Sequence, residues 1–331
     1  MPVTINDIAK AANVSKATVS YVINNKPGVS EVTRQKILQI MKEMNYRPNA
    51  VARGLAGQKT EMLGLVIPDI TDMFYADIIR GVENTANRFN YTLNLCTTHA
   101  EPQKEKDVVD SFTSGRVDGV ILMTYHLNID YIYELKKRGI PFVFIDCPID
   151  DESIYSIIVD NEEGGYKATE YLIKLGHKEI AFIHGSRDSW DNESRFKGYC
   201  RALKDYGLKF QEEFIKHGEF QKIGGYQVTK ELLKLEKKPT AIFAANDQMA
   251  LGALSAILEA GLKVPDDISI IGFDDIEAAA LVDPPLTTIS QPTAKMGQKA
   301  VELLMDLIRG EEPEPRKILL KTVLVERGSC A

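Results

Sequence analysis

The order of apolar patterns along the chain predicts a small all-α N-terminal domain joined to a large α/β core of two lobes with parallel sheets. Three observations carry this. Residues 1–60 hold nine Lys and Arg against three Asp and Glu, while the rest of the chain holds thirty-one against forty-four. The segment before Tyr46 shows helical periodicity alone. Beyond residue 60, short apolar runs alternate with amphipathic stretches, as repeated βαβ units do.

Two short helices joined by a tight turn are expected in Ile5-Asn6-Asp7-Ile8-Ala9-Lys10-Ala11-Ala12-Asn13-Val14-Ser15-Lys16-Ala17-Thr18-Val19-Ser20. Thr4 suits the first N-cap, its hydroxyl accepting a backbone N–H, and Ser15 suits the second. Ile5, Ile8, Ala9 and Ala12 share one face, and Val19, Val22 and Ile23 face them. A third helix is expected over about 30–44, with Val32, Ile37, Ile40, Met41 and Met44 as its buried stripe. This helix-turn-helix is basic, so its natural ligand is a polyanion. The net charge of -7 conceals that, because it averages over two units of opposite sign.

From Arg47 to Thr60 the chain reads RPNAVARGLAGQKT. Pro48 suits a first helical position and Gly57 a terminator, leaving about two turns. So short a helix is marginal alone, and it is expected to act as a hinge that folds only when docked.

In the core, Met62–Pro68, Tyr91–Cys96, Gly119–Met123 and Pro141–Ile145 read as strands, as do Glu179–His184, Thr240–Ala244 and Ile268–Phe273. Helical patterns lie between them, and the two series imply two lobes with a cleft. Asp69, Asp146, Asn161, Asn246, Asp247, Asp274 and Asp275 fall at strand ends, where parallel sheets bind ligands. A small polar ligand is expected there.

Composition narrows the remaining classes. The chain has 331 residues, 44% apolar and 26% charged, values of a folded globular protein. No apolar run reaches the roughly 20 residues of a spanning helix. The N-terminus lacks a basic stretch followed by an apolar one, so no secretory signal is read and a cytoplasmic location without membrane association is expected. Cys96, Cys147, Cys200 and Cys330 are far apart, and the five histidines show no metal-ligand spacing. No metal site and no catalytic motif such as HExxH, GxSxG or a Walker loop is found, so an enzyme is not expected.

Three motifs together resemble the lactose/galactose repressor family. They are the Val3–Ser20 segment, Tyr46–Leu55, and a core set of Ala245–Gly252, Gly272–Asp275 and Pro284–Ile289. The resemblance implies a dimeric regulator whose core is a type I periplasmic-binding-protein-like fold. It divides the chain into a helix-turn-helix domain (1–46), a hinge helix and linker (47–60) and an effector-binding and dimerisation core (61–331). The first lobe would take about 61–160 and 290–320, and the second about 161–289 and 321–331. The chain carries no appended heptad helix, so a homodimer is expected rather than a tetramer.

On double-stranded operator DNA, the resemblance places Lys16, Ala17 and Tyr21 at base edges in the major groove. Many relatives carry Arg at the position of Tyr21; Tyr cannot contact guanine bidentately, which changes the expected operator sequence. Ser15, Thr18, Ser20 and Asn24 would bond phosphates, and Thr4, Asn49, Ala52 and Arg53 complete the set. Leu55 would wedge into the minor groove, unless it packs on its own lobe.

For the small-molecule effector, Arg195 and Asp274 match the family's ligand-binding arginine and aspartate. Asn246 matches a ligand-contacting position, and Asp191 joins them. Phe74, Tyr75, Trp190 and Phe220 are candidates to stack on a ring, or else are core; Asn246 and Asp274 could instead be helix caps. Arg and carboxylates suit a sugar's adjacent hydroxyls. The stretch Ser189-Trp190-Asp191-Asn192 departs from the purine-repressor branch. Glu302 and Asp306 disfavour docking of a phosphorylated carrier protein. A repressor of carbohydrate-utilisation genes, released from a palindromic operator by a small sugar or sugar-derived effector and needing no cofactor, is therefore expected. The rivals are a sugar-binding receptor without a DNA role, against which the basic N-terminal unit argues, and a regulator that uses a protein or nucleobase cofactor.

Overall fold

A computed structural model describes residues 3–23, 26–46, 59–124, 126–147, 149, 151–186 and 189–331. Asn24, Asn49, Ala52, Arg53, Leu55 and the expected hinge helix lie outside the described residues. The chain divides into a helical N-terminal unit and a larger α/β unit beginning at Glu61.

The N-terminal unit holds α1 (Ile5–Ala12), α2 (Lys16–Ile23) and α3 (Glu31–Glu43). Ile8, Ala9, Ala12, Val19, Val22 and Ile37 form its core. Asn13 ends α1 in the left-handed conformation, φ 55°, which Asn tolerates better than most residues. The Ser15 hydroxyl accepts from the Thr18 N–H at 3.0 Å and so caps α2 as expected. Thr4 is the N-cap of α1, as expected, in a capping box in which Asp7 accepts from the Thr4 backbone N–H (2.9 Å) and from its hydroxyl (2.7 Å). These bonds hold the Asp7 carboxyl below its usual range. Val32 is not part of the buried stripe and is 82% exposed. It lies five residues, about 140° of helical rotation, from Ile37, whereas Ile40, Met41 and Met44 recur at helical spacing from it. Arg34 ties α3 to α2 and to the residues after it, donating to the Val22 carbonyl at 3.4 Å and to the Lys26 carbonyl at 2.9 Å.

The larger unit contains two six-stranded sheets. The first is built from β1 (Met62–Ile67), β2 (Thr92–Thr97), β3 (Gly119–Leu122), β4 (Phe142–Ile145), β5 (Ser156–Val159) and β11 (Lys317–Leu320), in the order β11-β5-β4-β3-β1-β2. The second contains β6 (Ile180–His184), β7 (Ile215–His217), β8 (Ala241–Ala244), β9 (Ser269–Asp274), β10 (Thr287–Ser290) and β12 (Val323–Val325), ordered β12-β10-β9-β8-β6-β7. All pairings are parallel except β10 with β12, an antiparallel edge that the all-parallel expectation did not include. Helices cover the sheets: α4 (Phe74–Arg88), α5 (Pro102–Thr113), α6 (Ile129–Lys137) and α12 (Thr293–Arg309) in the first lobe, with α7 (Asn161–Lys174), α8 (Trp190–Asp205), α9 (Lys222–Leu232), α10 (Asp247–Glu259) and α11 (Glu277–Leu281) in the second. Burial on both faces explains why strands such as Leu63–Ile67 are continuous apolar runs.

The chain passes between the sheets three times: between β5 and β6, between β10 and α12, and between β11 and β12. Each lobe has its own apolar core. Side chains at two of the crossings, Asn161 and Gln291, reach directly into the polar network described next.

Candidate functional site

A cavity of about 530 Å³ lies between the lobes, where the strands of both sheets end. The first lobe contributes Asp69 and Asp72 after β1, Met123 and Thr124 after β3, and Asp146 after β4. The second contributes Ser186 after β6, Asn246 after β8 and Asp274 at the end of β9. Successive parallel strands deliver their polar ends to one edge, which produces this convergence.

Arg195 on α8 organises the second wall. Its side chain is 2% exposed. Nε donates to Asn161 Oδ1 at 2.9 Å, and Nη1 donates to the Ala245 carbonyl at 2.5 Å. Nη2 lies 3.4 Å from Asp191 Oδ2, and Nη1 lies 3.6 Å from Asp274 Oδ1. The guanidinium also covers the Phe273 ring, 3.9 Å from its centroid, a cation–π contact. A buried guanidinium so fully satisfied is a fixed part of the wall.

Close helix packing sets where Arg195 stands. A Cβ at Gly165 on α7 would lie 2.2 Å from the Arg195 carbonyl oxygen. One at Gly198, three residues after Arg195, would lie 2.1 Å from the Glu162 carbonyl oxygen. Only glycine permits this approach of α7 and α8.

Asp274 has φ 116° and accepts from Gln291 Nε2 at 2.7 Å. Burial raises its pKa well above the usual range, with Asp247 and Asp72 adding to the shift and Arg195 opposing it. Asp146 accepts from Asn161 Nδ2 at 3.3 Å. Burial, reinforced by the charge of Asp191 and opposed by Arg195, raises it to about 7. Asn161 thus links Asp146 of the first lobe to Arg195 of the second.

Of the expected effector residues, Phe74, Tyr75, Asp191, Arg195, Phe220, Asn246 and Asp274 line the cavity. Trp190 does not line it and is 37% exposed. Adjacent helical residues point about 100° apart, and Asp191 takes the inward direction. Asn246 caps α10, accepting from the Met249 N–H at 2.9 Å, and its amide donates to the Phe220 carbonyl at 3.1 Å. Asp274 caps no helix; α11 has Ile276 at its N-cap. Phe74 and Tyr75 meet edge to face with centroids 5.2 Å apart. Asp72, Thr124 and His126 also line the cavity, with no signal in the sequence that marks them. Asn161, expected as a polar strand end, connects the two walls through its amide.

The end of β6 and Ser186 are anchored from behind. Buried Asn192 accepts from the Gly185 N–H at 2.8 Å and donates to the Ser186 carbonyl at 3.2 Å; its amide nitrogen also lies 3.0 Å from His184 Nδ1. Burial, then the neighbouring His217, lowers His184 to about 4. Among the described residues, no group of three or more His, Cys, Asp or Glu is arranged to hold a metal ion. No described helix is long and apolar enough to cross a membrane.

On α2 of the N-terminal unit, Lys16, Ala17 and Tyr21 are exposed while Val19 and Val22 are buried. Tyr21 is 45% exposed, with Lys26 Nζ 5.9 Å from its ring centroid. Thr4 and Ser15 are exposed, whereas Thr18 and Ser20 are half-buried. The Ser15 and Thr18 hydroxyls lie 2.9 Å apart.

Residues 4–49 match the lacI family of bacterial regulatory proteins, and residues 169–330 match a periplasmic binding protein-like domain. The chain is 40% identical to the HTH-type transcriptional repressor PurR of Aliivibrio fischeri over 98% of each chain. It is 39% identical to catabolite control protein A of Priestia megaterium over 94% of each. Among solved structures it resembles the Lac repressor dimer bound to operator and the anti-inducer ONPF, with TM-score 0.88 and 32% identity over all of both chains. It also resembles the complex of the transcriptional regulator CelR with cellobiose, with TM-score 0.76 and 32% identity over 99% of each. The full-length similarity, with an exposed second helix in the N-terminal unit and a cavity at the strand ends of the core, makes this chain a member of the lacI family and a DNA-binding transcriptional regulator.

Proposed function

We propose that the protein represses carbohydrate-utilisation genes and is released from a palindromic operator when a small sugar occupies the cleft. The observation that carries this is the lining of the cavity: carboxylates from both lobes beside the aromatic pair Phe74 and Tyr75. Carboxylates hold sugar hydroxyls through charge-assisted bonds, and aromatic rings cover the apolar face of a pyranose. The likeness to CelR with cellobiose supports the same reading.

Two copies would bind the two half-sites, as in the Lac repressor dimer on operator, with α2 in the major groove and the segment around Leu55 in the minor groove. Sugar would draw the lobes together, with Asn161 transmitting the movement between the walls. Release requires tighter binding of sugar to the DNA-free state, since equal affinity shifts nothing. A second reading, a nucleobase effector, rests on the similarity to PurR.

The test is thermal unfolding of the full chain against mono- and disaccharides and nucleobases, followed by operator-binding anisotropy with each hit. A ligand at ~100 times its Kd adds ~2.7 kcal/mol. A sugar that raises the Tm and weakens operator binding meets the proposal; a nucleobase as the sole hit selects the second reading.

A further inference from the structure

The charges around the cavity are lopsided. Among the described residues that line it, Asp69, Asp72, Asp146, Asp191, Glu219 and Asp274 are acidic, against Arg195 and Lys222. Lys222 is exposed. Arg195 is already engaged by Asn161, Ala245, Asp191, Asp274 and the Phe273 ring. Among the described residues, an incoming phosphate or carboxylate would find no uncommitted guanidinium, and it would face the acidic side chains of Asp69 and Asp72 from the first lobe and of Asp191 and Glu219 from the second. Asp72 and Asp274 already act on each other electrostatically.

A second, independent feature lies on the first wall. Thr124 is 4% exposed and lines the cavity, yet its hydroxyl has no hydrogen-bond partner among the described residues. A buried hydroxyl without a partner costs about 1–3 kcal/mol, and a ligand group in the cavity would satisfy it. Asp72 accepts from the Phe74 N–H through Oδ1 at 3.0 Å, and its carboxylate retains further acceptor capacity.

We propose that the cavity selects an uncharged, donor-rich ligand and excludes its phosphorylated and carboxylated counterparts, with Asp72 and Thr124 as specificity-determining residues. This rests on the effector-site reading above and narrows it to neutral sugars over sugar phosphates and uronates. Ligand hydroxyls would donate to Asp72 and Asp146, and one would pair with Thr124 Oγ1.

The test is calorimetric titration of the full chain with matched sets: glucose, galactose and cellobiose; glucose 6-phosphate, glucuronate and galacturonate; and uncharged nucleobases. The expected result is binding of a neutral sugar about tenfold or more tighter than its anionic counterpart, since like charges near a protein surface repel by kcal/mol amounts. Asp72→Asn keeps the acceptor for the Phe74 N–H and should narrow that ratio severalfold. Thr124→Val, close in shape, should weaken the neutral ligand severalfold. Equal or tighter binding of an anionic member overturns the proposal, as does an unchanged ratio in Asp72→Asn. Binding by a nucleobase alone would sink the sugar reading and support exclusion of anions, and no binding by any uncharged compound would overturn both.

Discussion

The two walls of the cleft are built differently. On the second lobe the polar groups are largely bonded to one another: Arg195 to Asn161 and Ala245, Asp274 to Gln291, and Asn246 to Met249 and Phe220. On the first lobe Thr124 has no partner among the described residues, and Asp146 receives a long 3.3 Å bond from Asn161. The second wall is the more fully bonded of the two, with Gln291 Oε1 as its one buried atom without a partner among the described residues that line the network. A preorganised wall gives position at little cost on binding. Groups completed only by ligand are where affinity can differ between two conformations, which an allosteric effector requires.

The largest effect should come from removing the centre of the more fully bonded wall. Arg195→Ala strands Asp191 without its counter-charge and leaves Asn161 and Ala245 without a donor. Breaking one side of a buried ion pair costs about 3–5 kcal/mol. Urea unfolding should show that loss, and effector binding should vanish. A loss under about 1 kcal/mol would mean the guanidinium does not hold this wall.

Gly165→Ala probes the same wall from behind. An exposed helical glycine changed to alanine gains up to ~1 kcal/mol. Here the new Cβ would meet backbone at 2.2 Å, so overpacking should destabilise by about 1–3 kcal/mol and displace Arg195. A variant as stable as the parent would show that α7 and α8 can move apart freely.

Phe74→Ala should separate the walls by readout. Phe74 is half-buried on the open wall, so effector affinity should fall about tenfold, the ~1.4 kcal/mol range of an aromatic contact. Stability should fall less than in the two preceding variants. If stability falls with affinity unchanged, Phe74 belongs to the lobe's core and not to the site.

The same contrast explains what could be read from the sequence. Asn246 and Asp274 stand in the motifs that carry the family resemblance, Arg195 is placed by that resemblance, and the strands feeding the site are apolar runs between helices. Thr124 follows Gly119–Met123 as one hydroxyl after a strand, and nothing local tells an orphaned threonine from a bonded one. The strand Ile215–His217 has three residues and only one strongly apolar side chain, so it gives no run to detect. Rotation per residue decides both Val32 and Trp190: Val32 stands off the stripe of Ile37, and Trp190, a candidate for its ring alone, points away from the cavity that its neighbour Asp191 lines. The link of Asn161 to Asp146 and Arg195 is not legible in the sequence, because it depends on where two lobes meet.

The smallest effect tests the link between the walls. Asp146 has a folded pKa of about 7 against an ordinary 3.8, raised first by burial and then by Asp191, with Arg195 opposing. The folded state therefore holds this proton more tightly than the unfolded chain. Its stabilising contribution is complete below about pH 4 and is lost as pH rises through about 7, with a slope of at most ~1.4 kcal/mol per pH unit. Asp146→Asn, which cannot ionise, should flatten the stability profile between these limits and gain stability relative to the parent above pH 7. Urea midpoints from pH 5 to 8 measure this directly. Parallel profiles would mean that Asp146 ionises as freely in the folded protein as in the unfolded one. The first-lobe carboxylate would then be solvated and would not stand in the field of the second wall.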